Sequence, residues 1–183
     1  MVRILPLLVA GLLLGGRAHA GSWSLGAHLG FVSLHSDVKG SASTDVLAAP
    51  ANALTYEPGL RLGFGDRLHS REVVLDWGTL HLDEGGSPLT LVVAMASYQH
   101  TFRASETWAP FTVTGMGLYR ERAVAHTSNS TRYGIGAGVR RTLREGHGAL
   151  RAELRGDHLQ ADDRSGRPKL TTFAVRLGFD VWL

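Results

Sequence analysis

Apolar and polar residues alternate with period two through most of this chain, and that alternation restricts what it can become. The stretch "TTFAVRLGFDVWL" (171–183) sets Phe173, Val175, Leu177, Phe179, Val181 and Leu183 on one face. Ala174, Arg176, Gly178 and Asp180 fall on the other. Period two is the signature of a strand whose two faces meet different surroundings. The same signature recurs in "WSLGAHLGFVSL" (23–34), "LTYEPGLRLGFGD" (54–66), "REVVLDWGTLHL" (71–82) and "LTLVVAMASYQHTF" (89–102). It returns in "FTVTGMGLYRER" (111–122), "RYGIGAGVRRTL" (132–143) and "GALRAELRGDHLQ" (148–160). These segments make eight strands and no convincing helix, so the fold class is all-β. Most of them exceed the roughly five or six residues usual for strands of globular proteins.

The first twenty residues read as an export signal. Arg3 supplies a positive start, "ILPLLVAGLLLGG" an apolar stretch, and "AHA" at 18–20 a small-residue cleavage site. Residues 1–20 are therefore expected to be a signal peptide and 21–183 a single barrel domain. There is no cysteine, which excludes disulfides, thiolate metal sites and cysteine nucleophiles. The excess of 19 Lys plus Arg over 16 Asp plus Glu is small and dispersed, and makes no nucleic-acid stripe. Connections near "DRLHS", "RASETWA" and "REGH" are short. The alternate ones, at 36–53, 83–88, 123–131 and 161–168, are expected on the opposite side, and the first of them is long. Short periplasmic turns facing longer external loops are the pattern of an outer-membrane barrel.

A soluble barrel would turn its apolar face inward; three features favour the inverse. Assigning the apolar residues to the outer wall puts Trp23, Phe64, Phe102, Phe111 and Phe179 toward the periplasmic ends. It puts Phe31, Tyr56, Trp77, Tyr119, Tyr133 and Phe173 toward the external ends, with aliphatic residues between. Two aromatic girdles match two lipid–water interfaces. The opposite face carries Glu57, Glu72, Asp76, Glu153, Asp157 and Asp180 against Arg61, Arg120, Arg140, Arg151, Arg155 and Arg176, with no lysine. Equal numbers, with arginine as the sole cation, suit a confined network of multidentate ion pairs. Gly63 and Gly65, and Gly134, Gly136 and Gly138, share that inner face, where small residues make room for long arginines. The expected architecture is an eight-stranded antiparallel up-and-down transmembrane β-barrel.

At this point the chain resembles the small eight-stranded outer-membrane β-barrel proteins of Gram-negative bacteria. The resemblance implies the outer membrane as location, membrane lipid and lipopolysaccharide as surroundings, and the barrel-insertion machinery as a partner. In that family the final residue is typically aromatic; here Leu183 follows Trp182.

One stretch invites a catalytic reading. In "AHTSNS" (125–130), His126 and Ser128 would share a strand face, and Glu121 could orient the imidazole. This is similar to the His-x-Ser-Asn motif of lipid A deacylases, which lies near the external end of the penultimate strand in that family. The matching place here reads Asp157-His158-Leu159-Gln160, without serine, and the motif is expected instead in a polar external loop. Asp157, His158, Asp162 and Asp163 are better read as a polar loop than as a divalent-ion site, so no cofactor or metal is expected. The preferred role is structural or surface-interacting, with the lumen plugged by ion pairs. The alternatives are a lipid A-modifying acyl hydrolase and a soluble periplasmic barrel that binds an apolar ligand.

Overall fold

The computed structural model describes residues 22–36, 55–66, 69–84, 87–122, 127–143, 147–160 and 169–183. The expected signal peptide and the first external connection lie outside them. Eight strands follow in order: β1 (Ser22–Ser36), β2 (Thr55–Gly65), β3 (Arg71–Glu84), β4 (Ser87–Thr101), β5 (Trp108–Arg122), β6 (Thr127–Thr142), β7 (Gly148–Leu159) and β8 (Leu170–Trp182). Each pairs antiparallel with its sequence neighbour, and β8 returns to β1, closing the barrel. Closure leaves no free edge along the span the strands share, so ladder donors and acceptors there find partners even where no water is available.

The start of β1, the end of β8 and the three short turns share one end, the one that the sequence leads us to expect on the periplasmic side and that is named for it. The β2–β3 turn is tied by the His69 amide donating to the Asp66 carbonyl at 2.8 Å and the Ser70 amide donating to Asp66 Oδ1 at 2.7 Å. His69 and Arg103, with φ of 51° and 50°, supply the left-handed residues of the first two turns. At the other end β3 and β4 run further than the sequence suggests. Their connection is 85–86 rather than 83–88, and that between β5 and β6 is 123–126 rather than 123–131.

The outer wall is apolar. Ile135, Leu154, Leu60 and Phe173 are 70, 65, 63 and 63 % exposed, so no protein layer covers them. The packed interior is the lumen. Charged and polar side chains line much of it, with Arg132 and Arg140 of β6 and Gln99 of β4 among them, while the larger apolar group is Val93, Met95, Phe111, Val113 and Tyr119 of β4 and β5.

That last group corrects the facing expected for β5. Phe111 and Tyr119 are buried in the lumen rather than placed in the girdles, and Arg120 is exposed on the outer wall rather than held inside. Space explains the inversion. Gly138 faces inward opposite Phe111, and a Cβ there would come within 2.5 Å of Phe111 Cζ, so the ring occupies the room the glycine leaves. Thr112 and Thr114 then face outward, which a β-branched residue with one hydroxyl tolerates. Trp108, 55 % exposed, provides the outward aromatic at the periplasmic end of β5.

Candidate functional site

The lumen is the one place where the described residues concentrate chemistry. Each inner face is fixed by strand parity, so charges two residues apart on one strand meet those on its neighbours. Among the described residues twelve charged ones line it: Glu57, Glu72, Asp76, Glu153, Asp157 and Asp180 with Arg61, Arg132, Arg140, Arg151, Arg155 and Arg176, all buried. Arg132 stands where the sequence reading had Arg120, and the balance of six against six survives the exchange.

The network has three linked parts. At the periplasmic end Glu72 holds His69 Nδ1 at 3.0 Å, receives a hydrogen bond from Gln99 Nε2 at 3.0 Å and pairs with Arg140 at 3.6 Å. The His69 ring stacks on Trp182 at 4.8 Å, Arg140 lies 5.5 Å over the same indole, and Arg140 donates to the His69 carbonyl at 2.9 Å. Trp182 thus packs against the groups that close this mouth, while Leu183 points outward.

In the middle, Arg61 pairs with Asp180 at 3.3 Å and Asp76 at 4.0 Å, and donates to Gln99 Oε1 at 2.8 Å. Gln99 therefore bridges the first part to the second.

Toward the external end, Asp157 accepts from Arg132 at 2.6 Å and from Arg155 at 2.8 Å. Glu57 pairs with Arg176 at 3.1 Å and Arg132 at 3.6 Å. Glu153 gathers Arg155 at 3.5 Å, Arg151 at 3.9 Å and Arg176 at 4.0 Å. Several of these pairs join strands that are not neighbours, so the charges cross-brace the barrel through its axis. The inner glycines are what permit this. At Gly59 any Cβ would collide with the His28 ring, which lies across the lumen wall at that level.

Of the expected girdle residues, Trp23 and Phe64 lie outward with ring centroids 4.8 Å apart, and Phe102 and Phe179 are exposed at the same end. Phe31, Trp77, Tyr133 and Phe173 also face outward, Trp77 about half-way along β3. Tyr56 is on β2, but its side chain lies outside the described residues. Of the catalytic candidates, Glu121 and Ser128 are backbone partners on β5 and β6, with side chains outside the described residues. Ser128 is in a strand rather than in a loop, and His126 lies outside the described residues. Among the described residues no group of acids and histidines could hold a metal ion.

Sequence reading missed Arg132 and the bridging Gln99. Both were legible by parity, Arg132 with Gly134 and Gly136, and Gln99 opposite Ala96 and Tyr98.

No protein-family model and no curated relative matches the chain. Solved structures do. Neisserial surface protein A (NspA) superposes with a TM-score of 0.68 at 16% identity, over 89% of this chain and 99% of that one. The N-terminal β-barrel domain of Pseudomonas aeruginosa OprF gives 0.53 at 13% identity, over 89% and 99%. Yersinia pestis Ail, the attachment invasion locus protein, solved with the heparin analogue sucrose octasulfate, gives 0.51 at 12% identity, over 88% and 99%. An apolar wall, a charged lumen, a closed antiparallel meander and these neighbours together give this chain the fold of the small eight-stranded outer-membrane β-barrel proteins.

Proposed function

We propose that the protein is a plugged outer-membrane barrel with a structural or surface-interaction role, a rigid frame that presents its external connections at the cell surface. The paired lumen carries this reading. An open pore keeps its charged groups solvated, whereas here, among the described residues, six carboxylates and six guanidiniums are buried against one another. Such a filling suits a frame better than a conduit, because the desolvation of each charge is offset only while its partners stay in place. The names of two fold neighbours, a surface protein and an attachment protein seen with a heparin analogue, are consistent with a role outside the cell. The barrel would stand between phospholipid and lipopolysaccharide, placed there by the barrel-insertion machinery.

Purified protein reconstituted in planar lipid bilayers tests the plug. No stable conductance steps are expected from the wild type. A large, long-lived open state would sink this reading.

A further inference from the structure

We propose that the outer wall holds one phospholipid of the periplasmic leaflet, its phosphate on Arg141 beside Trp108 and one acyl chain in a dent above them. The assignment rests on reading the chain as a membrane barrel.

The dent, about 490 Å³, lies on the outer wall across β4, β5 and β6, lined chiefly by Tyr98, Thr112, Thr114, Ile135 and Ala137. Its origin is the inversion of β5. Turning Phe111 and Val113 inward leaves two threonines outward, and beside Ala137 they form a low floor between the taller Tyr98 and Ile135. The floor is within the span of the strands, so what fills it in a bilayer must be apolar.

The second observation is a cation at the right distance. Arg141 is exposed on the same outer face of β6, and its guanidinium carbon lies 5.4 Å from the ring centre of Trp108, its register partner. Among the described residues it has this aromatic partner and no carboxylate. Tryptophan is favoured at the lipid–water interface, and the guanidinium fork matches phosphate oxygens. Arg141 and Ala137 are four residues apart, about 13 Å along a strand at ~3.3 Å per residue. With strands tilted about 35–45° the drop in depth is about 10 Å, a headgroup-to-chain separation within one leaflet. The periplasmic end selects a phospholipid over lipopolysaccharide, which occupies the other leaflet.

The test is native mass spectrometry of the folded barrel in mild detergent, titrated with phosphatidylglycerol and in parallel with diacylglycerol of the same chains. The wild type is expected to retain one phosphatidylglycerol and to retain diacylglycerol poorly. Arg141→Gln and Ala137→Phe are each expected to lower phosphatidylglycerol occupancy at least fivefold. Arg120→Gln, which removes an outward arginine at the opposite end of the wall, is expected to leave it unchanged. Unaltered occupancy in both site variants, or an equal loss in Arg120→Gln, would overturn the assignment. So would a dimer that disappears in Ala137→Phe, which would put a second copy of the chain in the dent. Each sample is also run unboiled and boiled on a denaturing gel. A missing mobility shift would mark failure of the barrel reading itself rather than of the lipid site.

Discussion

The lumen shows how much a single side chain carries when its partners cannot reach water. Asp157 is shared by Arg132 and Arg155, and Asp157→Ala takes the shorter partner from both, leaving Arg132 to Glu57 and Arg155 to Glu153. The expected cost is about 3–5 kcal/mol, since removing one carboxylate from a buried network leaves its guanidiniums under-compensated. It would be read as a lower denaturant midpoint for unfolding from lipid vesicles. Phe111 offers an apolar counterpart. Phe111→Ala empties the space over Gly138 and should cost about 3–5 kcal/mol. Gly138→Ala should also destabilise, because its methyl group meets the Ala152 carbonyl oxygen as well as the ring. A cycle built from Gly138→Ala and Phe111→Leu is expected to show partial coupling, the smaller side chain at 111 relieving the contact with the ring but not that with the Ala152 carbonyl. Strict additivity in the same unfolding assay would separate the two sites.

At the scale of the strand, β5 is the informative element because its facing is the least obvious. If Thr114 faces lipid, Thr114→Lys should cost about 2–4 kcal/mol, falling toward zero for positions nearer the interfaces. Arg120→Leu should then be nearly neutral. The opposite facing predicts the reverse, with Arg120→Leu breaking a buried ion pair, so the two variants decide the matter in one unfolding experiment. Most other faces were legible in the sequence. Through the middle of β7 and β8 apolar residues on one face alternate with charged or small residues on the other, and no second reading fits. β5 was misread because "FTVTGMGLY" offers apolar or small residues on both faces, and the aromatic residues suggested lipid. The correcting signal was nevertheless present. Gly115 and Gly117 share parity with Phe111, and the rule that placed the glycines of β6 inside would have placed these inside too. The cross-strand partners in the lumen were not legible. Composition gives the numbers of acids and arginines, but which of them meet depends on the stagger of the strands around the barrel.

At the scale of the molecule, a closed ladder with a cross-braced interior should resist detergent. The folded form is expected to run faster than the boiled form on a denaturing gel, and identical mobility would contradict a closed barrel. The seam between β1 and β8 has a consequence of a different kind. Seven of the eight strand pairings join sequence neighbours and can start as hairpins, each needing only a turn or loop to close. The eighth aligns Ser24 through Ser36 with Trp182 back through Leu170, thirteen register pairs that join the two ends of the barrel. Entropy places that step last, since it closes the longest loop and has no local nucleus. Until it happens the chain is a curled ribbon with two bare edges, able to join a neighbouring ribbon as readily as itself. Time spent in that half-made state, more than the stability of the finished ring, then sets the yield of correctly assembled protein.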